Sequence, residues 1–231
     1  GSFITPATMP LPVAIKGSGP RCAWAPQVWW GDADALQRLT HWQQQRDEEG
    51  LPRITHVCNT AANVVRVDQQ DRLPGVQYLD LRMLDVPDIT RKDYFWPNTE
   101  CNLRKAVAFV EEAVHDGGIV LINCWAGQNR SGSVVLTWLL THKVPETGAS
   151  LGLTPDEAIA HMKAVNPRAL SNTCLKKCVL AMLGFVDETT EAKNNTGPYC
   201  VGDQWEDLFL KMDKSGWAWC FLRNAHPGSS D

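Results

Sequence analysis

The chain has 231 residues, of which 44% are hydrophobic, and carries 22 basic against 26 acidic residues. This length and composition suit one domain with a hydrophobic core, or one domain plus an extension. The net charge of −4 gives no overall attraction to nucleic acid or anionic lipid, so neither is an expected partner. No stretch approaches the roughly 20 apolar residues of a membrane span.

The cysteines favour a reducing, cytoplasmic setting. Eight cysteines are too few and too irregularly spaced for a disulfide-stapled secreted domain. Cys174 and Cys178 stand four apart and could face a metal from one side of a helix. No nearby His or Cys pair completes a set of four ligands, so no metal is expected.

The first part of the chain is predicted to be irregular and the next to be helical. Residues 1–21 are rich in Pro and Gly and lack periodicity, which predicts an N-terminal arm with order beginning around Cys22. Residues 32–47 place apolar side chains at helical spacing behind Asp32 as a cap. Gly50 and Pro52 then close this predicted helix.

Short β-rich segments alternate with helical patterns through the middle of the chain. The predicted strands are 54–58, 76–83 and 119–122. The predicted helices begin near Asn98 or Thr99, at Ser131, at the capping box opened by Thr154, and at Ser171. This alternation predicts an α/β fold with a mostly parallel central sheet and helices on both faces. Phosphate ligands in such sheets bind at the carboxyl ends of the strands.

Residues 186–231 are predicted to form a C-terminal extension. A polar linker is followed by Trp205, Leu208, Phe209 and Met212 at the spacing of an amphipathic helix. The segment either packs back on the domain or offers its apolar face to a partner.

The segment from Ile119 to Val135 carries the strongest functional signal, because it reads as a buried strand, a loop and a helix. Successive backbone N–H groups before a helix form a nest for an anion, and phosphate fits such a nest. Arg130 adds a planar fork for two phosphate oxygens. The predicted phosphate-binding residues are Trp125, Ala126, Gly127, Gln128, Asn129 and Arg130.

Cys124 stands at the entrance of the same loop. The positive end of a helix and a neighbouring arginine favour the thiolate form of a cysteine, which is the nucleophilic form. The sequence therefore predicts Cys124 as a nucleophile.

The loop matches the motif His-Cys-x-x-Gly-x-x-Arg-Ser/Thr at Cys124, Gly127, Arg130 and Ser131. In this motif the chain resembles the cysteine-based protein phosphatases, and among them the dual-specificity group. The segments 53–59 and 166–172 are similar to two further family segments, and the likeness covers roughly residues 22–184. It implies a protein tyrosine phosphatase-like catalytic domain over residues 22–185. One departure is Asn123, which stands where the family has His and cannot become cationic.

Cleavage of a phosphate ester by a thiolate requires an acid that protonates the leaving oxygen. In the resembled enzymes this acid lies on the loop after the preceding strand, where Asp85 is the better placed candidate and Asp88 and Asp93 remain open. The resemblance also implies that Ser131 donates a hydrogen bond to the departing thiolate. No cofactor is required by this chemistry.

The resemblance implies a phosphoprotein phosphatase that hydrolyses phosphotyrosine, and phosphoserine or phosphothreonine, through a phosphocysteine. The uncharged loop residues Trp125, Gln128 and Asn129 favour a singly phosphorylated substrate. Three alternatives stay open: a phosphate-binding module with little turnover, a phosphatase for glycan, lipid or RNA phosphates, and sulfur or arsenate redox chemistry with Cys58 as resolving thiol.

Overall fold

The three strands predicted from the sequence are all present in the computed structural model, which describes residues 21–24, 27–85, 92–143 and 148–185. Two further strands precede them in the chain. The strands are β1 (Arg21–Trp24), β2 (Val28–Gly31), β3 (His56–Asn59), β4 (Gln77–Asp80) and β5 (Val120–Asn123). They form one sheet in the order β1-β2-β5-β3-β4, in which only β1 is antiparallel to its neighbour.

The helices follow the predicted order with two differences. They are α1 (Ala33–Gln37), α2 (Leu39–Glu48), α3 (Lys92–His115), α4 (Arg130–Thr141), α5 (Pro155–Val165) and α6 (Thr173–Met182). The single helix predicted over 32–47 is divided at Arg38, whose backbone leaves the helical region at φ −98° and ψ 20°. Helix α3 begins before the predicted start at Asn98 or Thr99 and contains Pro97.

Local capping signals fix several of these helix ends. Asp32 Oδ1 accepts the N–H of Ala35 at 3.0 Å, which confirms the predicted cap of α1. The capping box of α5 is also confirmed, since Thr154 and Glu157 exchange hydrogen bonds between side chain and backbone. Satisfying the free N–H groups of a helix start in this way stabilises the helix by about 1 kcal/mol.

Both faces of the sheet are covered by helices, as the sequence predicted. In β5, the side chains of Val120 and Ile122 belong to one apolar cluster and Leu121 to the other. The first cluster packs beneath α3, α4, α5 and α6, and the second beneath α1 and α2. Burial on both sides explains why β5 reads as a continuous apolar run.

The predicted N-terminal arm and C-terminal extension lie outside the described residues, except that Arg21 already belongs to β1. The proposed helix from Trp205 to Met212 lies outside them as well. Within the part that is described, no helix has both the length and the apolar character that crossing a membrane would need.

Candidate active site

The loop between β5 and α4 lies at the carboxyl end of the central strand and carries Cys124 at its start. Cys124 is 1% exposed, and its backbone N–H donates to the carbonyl of Gly31 at 3.3 Å. Ser131, in the first turn of α4, donates its hydroxyl to Cys124 Sγ at 3.2 Å. The sulfur and a hydroxyl that can stabilise its anion are therefore in contact.

The centre of this loop is held by hydrogen bonds from two other segments. The carbonyl of Gly127 accepts from Trp30 Nε1 at 3.1 Å and from Asn166 Nδ2 at 2.9 Å. Gly127 has φ +63°, and a Cβ there would lie 2.8 Å from the carbonyl carbon of Gly31. The turn thus needs glycine both for its backbone conformation and for the close approach of β2.

The backbone N–H groups of residues 125–130 are available to an anion. No acceptor within the described residues takes a hydrogen bond from any of them. They immediately precede and open α4, whose N-terminal end carries partial positive charge. This arrangement can bind a tetrahedral dianion such as phosphate.

Arg130 and Asp85 meet beside this loop. The Arg130 side chain is only 10% exposed, and its Nε lies 3.7 Å from Asp85 Oδ2. The Asp85 side chain is 26% exposed and so remains accessible to a substrate. The two predicted residues, which are separated by 45 positions in the chain, are thus brought together by the fold.

Two asparagines contact the carboxylate of Asp85. Asn172 Nδ2 donates to Oδ1 at 2.7 Å, and Asn129 Nδ2 lies 3.4 Å from Oδ2. The sequence did not predict these contacts. Asn129 was expected to bind phosphate, and Asn172 stood in the 166–172 segment only as part of a family likeness.

The sequence left Asp88 and Asp93 as two further candidates for the acid. Asp88 lies outside the described residues, and Asp93 lies where only the backbone of α3 is described. Asp85 is the candidate whose carboxylate the structure brings to Arg130.

The remaining predicted loop residues differ in exposure. Trp125 is 60% exposed, and Ala126 is exposed beside it. Gln128 and Asn129 are half-buried. Trp125 therefore lies on the surface next to Cys124 in the chain, while its carbonyl accepts the N–H of Ala33 at 3.1 Å.

Asn123, the residue before Cys124, is fully buried and faces the neighbouring strand. Its Nδ2 donates to Asn59 Oδ1 at 3.2 Å, and its Oδ1 has no hydrogen-bond partner among the described residues. Asn59 continues this polar chain to Asp80 at 3.1 Å. Among the described residues, the Asn123 side chain makes no hydrogen bond to the loop between β5 and α4.

Cys58 is a poor candidate for a resolving thiol. It is fully buried on β3, and burial, together with the nearby Asp80 carboxylate, raises the pKa of its thiol far above the ordinary range. Disulfide exchange requires a thiolate, so this environment disfavours the redox alternative. Within the described ranges, no group of His, Cys, Asp or Glu side chains, Cys174 and Cys178 included, could hold a metal ion.

Residues 41–181 match the family model of the dual specificity phosphatase catalytic domain. The chain belongs to this family. The match includes the dual specificity phosphatase loop with Cys124, Gly127, Arg130 and Ser131, and it also includes Asp85.

Curated proteins similar to the chain include other dual specificity phosphatases. Dual specificity protein phosphatase 1 of Arabidopsis thaliana is 29% identical over 119 residues, covering 52% of this chain and 50% of the relative. Dual specificity protein phosphatase 15 of Rattus norvegicus is 27% identical over 126 residues, covering 54% and 44%. The chain thus spans about half the length of these relatives. Phosphatidylglycerophosphate phosphatase PTPMT2 of Arabidopsis thaliana is 24% identical over 177 residues, covering 72% and 74%.

Solved structures confirm the dual specificity phosphatase fold. Human DUSP28 superposes with a TM-score of 0.50 at 23% identity, covering 68% of this chain and 88% of that one. OH1 from the Orf virus gives a TM-score of 0.51 at 14% identity, covering 75% and 90%. At these identities the likeness concerns the fold alone.

Proposed function

We propose that the chain is a cysteine-dependent phosphatase that hydrolyses phosphoprotein monoesters at phosphotyrosine, and at phosphoserine or phosphothreonine. The observation that carries the proposal is the contact of Ser131 Oγ with Cys124 Sγ at 3.2 Å, with Arg130 and Asp85 paired beside the same loop. A nucleophile, a cation for the phosphoryl oxygens and a carboxyl group for the leaving oxygen are the parts this reaction needs.

In the first step, the Cys124 thiolate attacks phosphorus and the phosphorus–oxygen ester bond breaks. Asp85 gives its proton to the leaving oxygen, so the products are a phosphocysteine and a neutral alcohol or phenol. Arg130 and the N–H groups of residues 125–130 stabilise the equatorial oxygens.

In the second step, the ionised Asp85 takes a proton from water, whose oxygen attacks phosphorus. The sulfur–phosphorus bond breaks, inorganic phosphate leaves, and the sulfur departs as a thiolate. Ser131 stabilises that thiolate through its hydroxyl, and the enzyme returns to its starting state because Asp85 again carries a proton.

The loop supports a singly phosphorylated substrate. The side chains between nucleophile and arginine include no lysine, so the loop adds no cation for a second phosphate group. Trp125, 60% exposed beside Cys124, offers an aromatic surface to the group that carries the phosphate.

A reducing compartment such as the cytoplasm is part of this proposal. Cys58 and the proposed nucleophile Cys124 are free thiols. A nucleophilic thiolate is itself sensitive to oxidation, so the reaction depends on conditions that keep it reduced.

Hydrolysis of phenyl phosphate, whose leaving oxygen needs an acid, tests the proposal. We expect turnover that vanadate inhibits, that Cys124→Ser abolishes and that Asp85→Asn lowers by about 100-fold or more, the usual range for loss of a general acid. Gln44→Ala, at an exposed position of α2, is the control that should leave turnover unchanged. Turnover that survives Cys124→Ser would refute the proposal.

A phosphorylated lipid headgroup is the second candidate, favoured by the similarity to PTPMT2 over 72% of the chain. Turnover of a tyrosine-phosphorylated peptide should be compared with that of phosphatidylglycerophosphate in vesicles, in both the native protein and Trp125→Ala. A kcat/KM that is higher for the vesicles by tenfold or more would favour the lipid. The opposite ratio would favour the phosphoprotein.

A further inference from the structure

We infer that Asn129 is a positioning residue: its side chain holds the carboxyl group of Asp85 in place instead of binding phosphate. The inference rests on the proposed function, because it concerns the acid of that reaction. The sequence had predicted that Asn129, like the rest of the loop, binds phosphate, so the inference gives its side chain a different role.

Both ends of the Asn129 side chain are engaged. Its Oδ1 accepts the backbone N–H of Asn172 at 2.9 Å and the hydroxyl of Ser171 at 3.1 Å. A backbone N–H can only donate, so the oxygen end of the amide must face Asn172. The nitrogen end therefore faces Asp85 Oδ2, at 3.4 Å.

The hydrogen bonds of Asn172 fix the orientation of its amide as well. Asn129 and Asn172 together form a clamp on the Asp85 carboxyl group. Its Oδ1 caps α6 by accepting the N–H groups of Cys174 at 2.9 Å and Leu175 at 3.2 Å. Its Nδ2 is thereby directed to Asp85 Oδ1 at 2.7 Å. Each oxygen of the Asp85 carboxyl group thus faces one neutral amide N–H.

The turn that carries Ser171 and Asn172 is itself attached to the phosphate-binding loop. The backbone N–H of Leu170 donates to the carbonyl of Gln128 at 3.1 Å. Leu170 has φ +56°, a conformation that costs a leucine about 1 kcal/mol and persists only where the surroundings impose it. Loop, turn and acid are therefore tied together around Asn129.

The clamp does not use all of the lone pairs of the Asp85 carboxyl group. The two amides are neutral, and each carboxyl oxygen has two lone pairs, so either oxygen can carry a proton and still accept an amide N–H. Because Asn129 directly precedes Arg130, the clamp joins the acid to the residue that would bind the phosphoryl group. A displacement of the acid by about 1 Å can cost as much as 100-fold in rate.

The test compares two leaving groups. A nitro-substituted aryl phosphate releases a stable phenolate and depends little on an acid, whereas an unsubstituted phenyl phosphate depends on it strongly. We expect Asn129→Ala to lower kcat/KM about 10- to 100-fold for the phenyl ester and less than about threefold for the nitroaryl ester. Asn129→Ser, which keeps an oxygen but no amide N–H, should show the same selective loss and serves if the alanine variant misfolds.

Two further readouts separate positioning from phosphate binding. Vanadate inhibition of Asn129→Ala should stay within about twofold of the native protein, since a phosphate ligand is not lost. In the Asp85→Asn background, Asn129→Ala should add less than about threefold to the loss, because residues that act as a unit are not additive.

The outcomes distinguish this inference from the proposed function. Equal losses for both esters, weaker vanadate inhibition, or full additivity with Asp85→Asn would overturn the positioning role while leaving the phosphatase intact. Native turnover that is insensitive to Asp85→Asn would overturn it too, since the clamp would hold no acid. If the native protein hydrolysed neither ester, the proposed function would fail first and the inference with it.

Discussion

The hydroxyl of Ser131 donates to the sulfur of Cys124 at 3.2 Å, across the loop that joins β5 to α4. A hydrogen bond to a charged group contributes about 1.5–3 kcal/mol, and in the proposed second step the sulfur departs from phosphorus as an anion. We expect Ser131→Ala to slow breakdown of the phosphocysteine about 10- to 150-fold while slowing its formation much less.

The measurement for Ser131→Ala is the pre-steady-state release of phenol from an aryl phosphate. A burst close to one equivalent, followed by slow turnover, is the expected result because the intermediate accumulates. An unchanged steady rate would show that the hydroxyl does not assist the departing thiolate.

Gly127→Ala should damage the loop more than an ordinary glycine substitution does. Left-handed backbone costs a non-glycine residue roughly 1–2 kcal/mol, and the clash with Gly31 adds about 1–3 kcal/mol. The matched control is Gly117→Ala, which has a similar φ of +73° and no atom within 4 Å of the added Cβ. Chemical denaturation should show the larger loss at Gly127, with loss of activity there alone; equal losses would contradict the close packing of β2 on the loop.

Asn123→His tests whether the position before Cys124 tunes the reactivity of this proposed nucleophile. A protonated ring can stabilise a nearby thiolate, which a neutral asparagine cannot do, so we expect turnover of a small aryl phosphate to increase. Asn123→Ala is the companion variant; it should leave the rate within a fewfold of native, because the native amide faces Asn59. Unchanged turnover in a folded Asn123→His variant would show that this position does not tune the nucleophile.

The stability of the domain should depend on pH through His56. Burial lowers the pKa of His56, although the neighbouring carboxylates of Glu112 and Asp116 partly oppose that shift. The unfolded chain therefore binds a proton near the ordinary pKa of about 6.5 while the folded chain does not. The contribution of His56 to the free energy of unfolding is therefore full above pH of about 6.5. It declines as the pH falls toward the lowered pKa and levels off below that pKa.

Urea denaturation between pH 5 and 8, comparing the native protein with His56→Gln, isolates this contribution. Below pH of about 6.5, the unfolding free energy of His56→Gln should decrease less than that of the native protein. His41→Gln, at an exposed position, is the control expected to keep it. Identical slopes for native protein and His56→Gln would contradict the shifted pKa.

The parts of the fold that the sequence predicted are those encoded locally. The β5 run of Val120 to Asn123, the helix cap at Asp32 and the capping box at Thr154 each act within a few residues. The strands β1 and β2 were missed because their segment lacks clear alternation of apolar and polar residues. Strand β2 forms through parallel pairing with β5, 92 positions away at Val28 and Val120, which local sequence does not reveal.

In the candidate site, too, the sequence predicted the residues of a local motif but not the contacts between distant positions. Cys124, Arg130 and Ser131 lie within one motif, whereas Asp85 was predicted only by its place after a strand. The clamp around Asp85 joins positions 44 and 87 residues apart, so spacing could not predict it. The one available signal was the cluster of Asn166, Ser171 and Asn172 in a turn-forming segment, because such residues often bond to nearby loops and helix ends.

The most direct test is to trap the covalent intermediate. The native protein and Ser131→Ala should be mixed with an aryl phosphate, quenched within milliseconds and digested for mass spectrometry, with Cys124→Ser as control. We predict one phosphoryl group on the peptide that contains Cys124, more abundant in Ser131→Ala and missing in Cys124→Ser. Release of phosphate with no labelled Cys124, or a phosphoryl group on another residue, would contradict the assignment of the nucleophile.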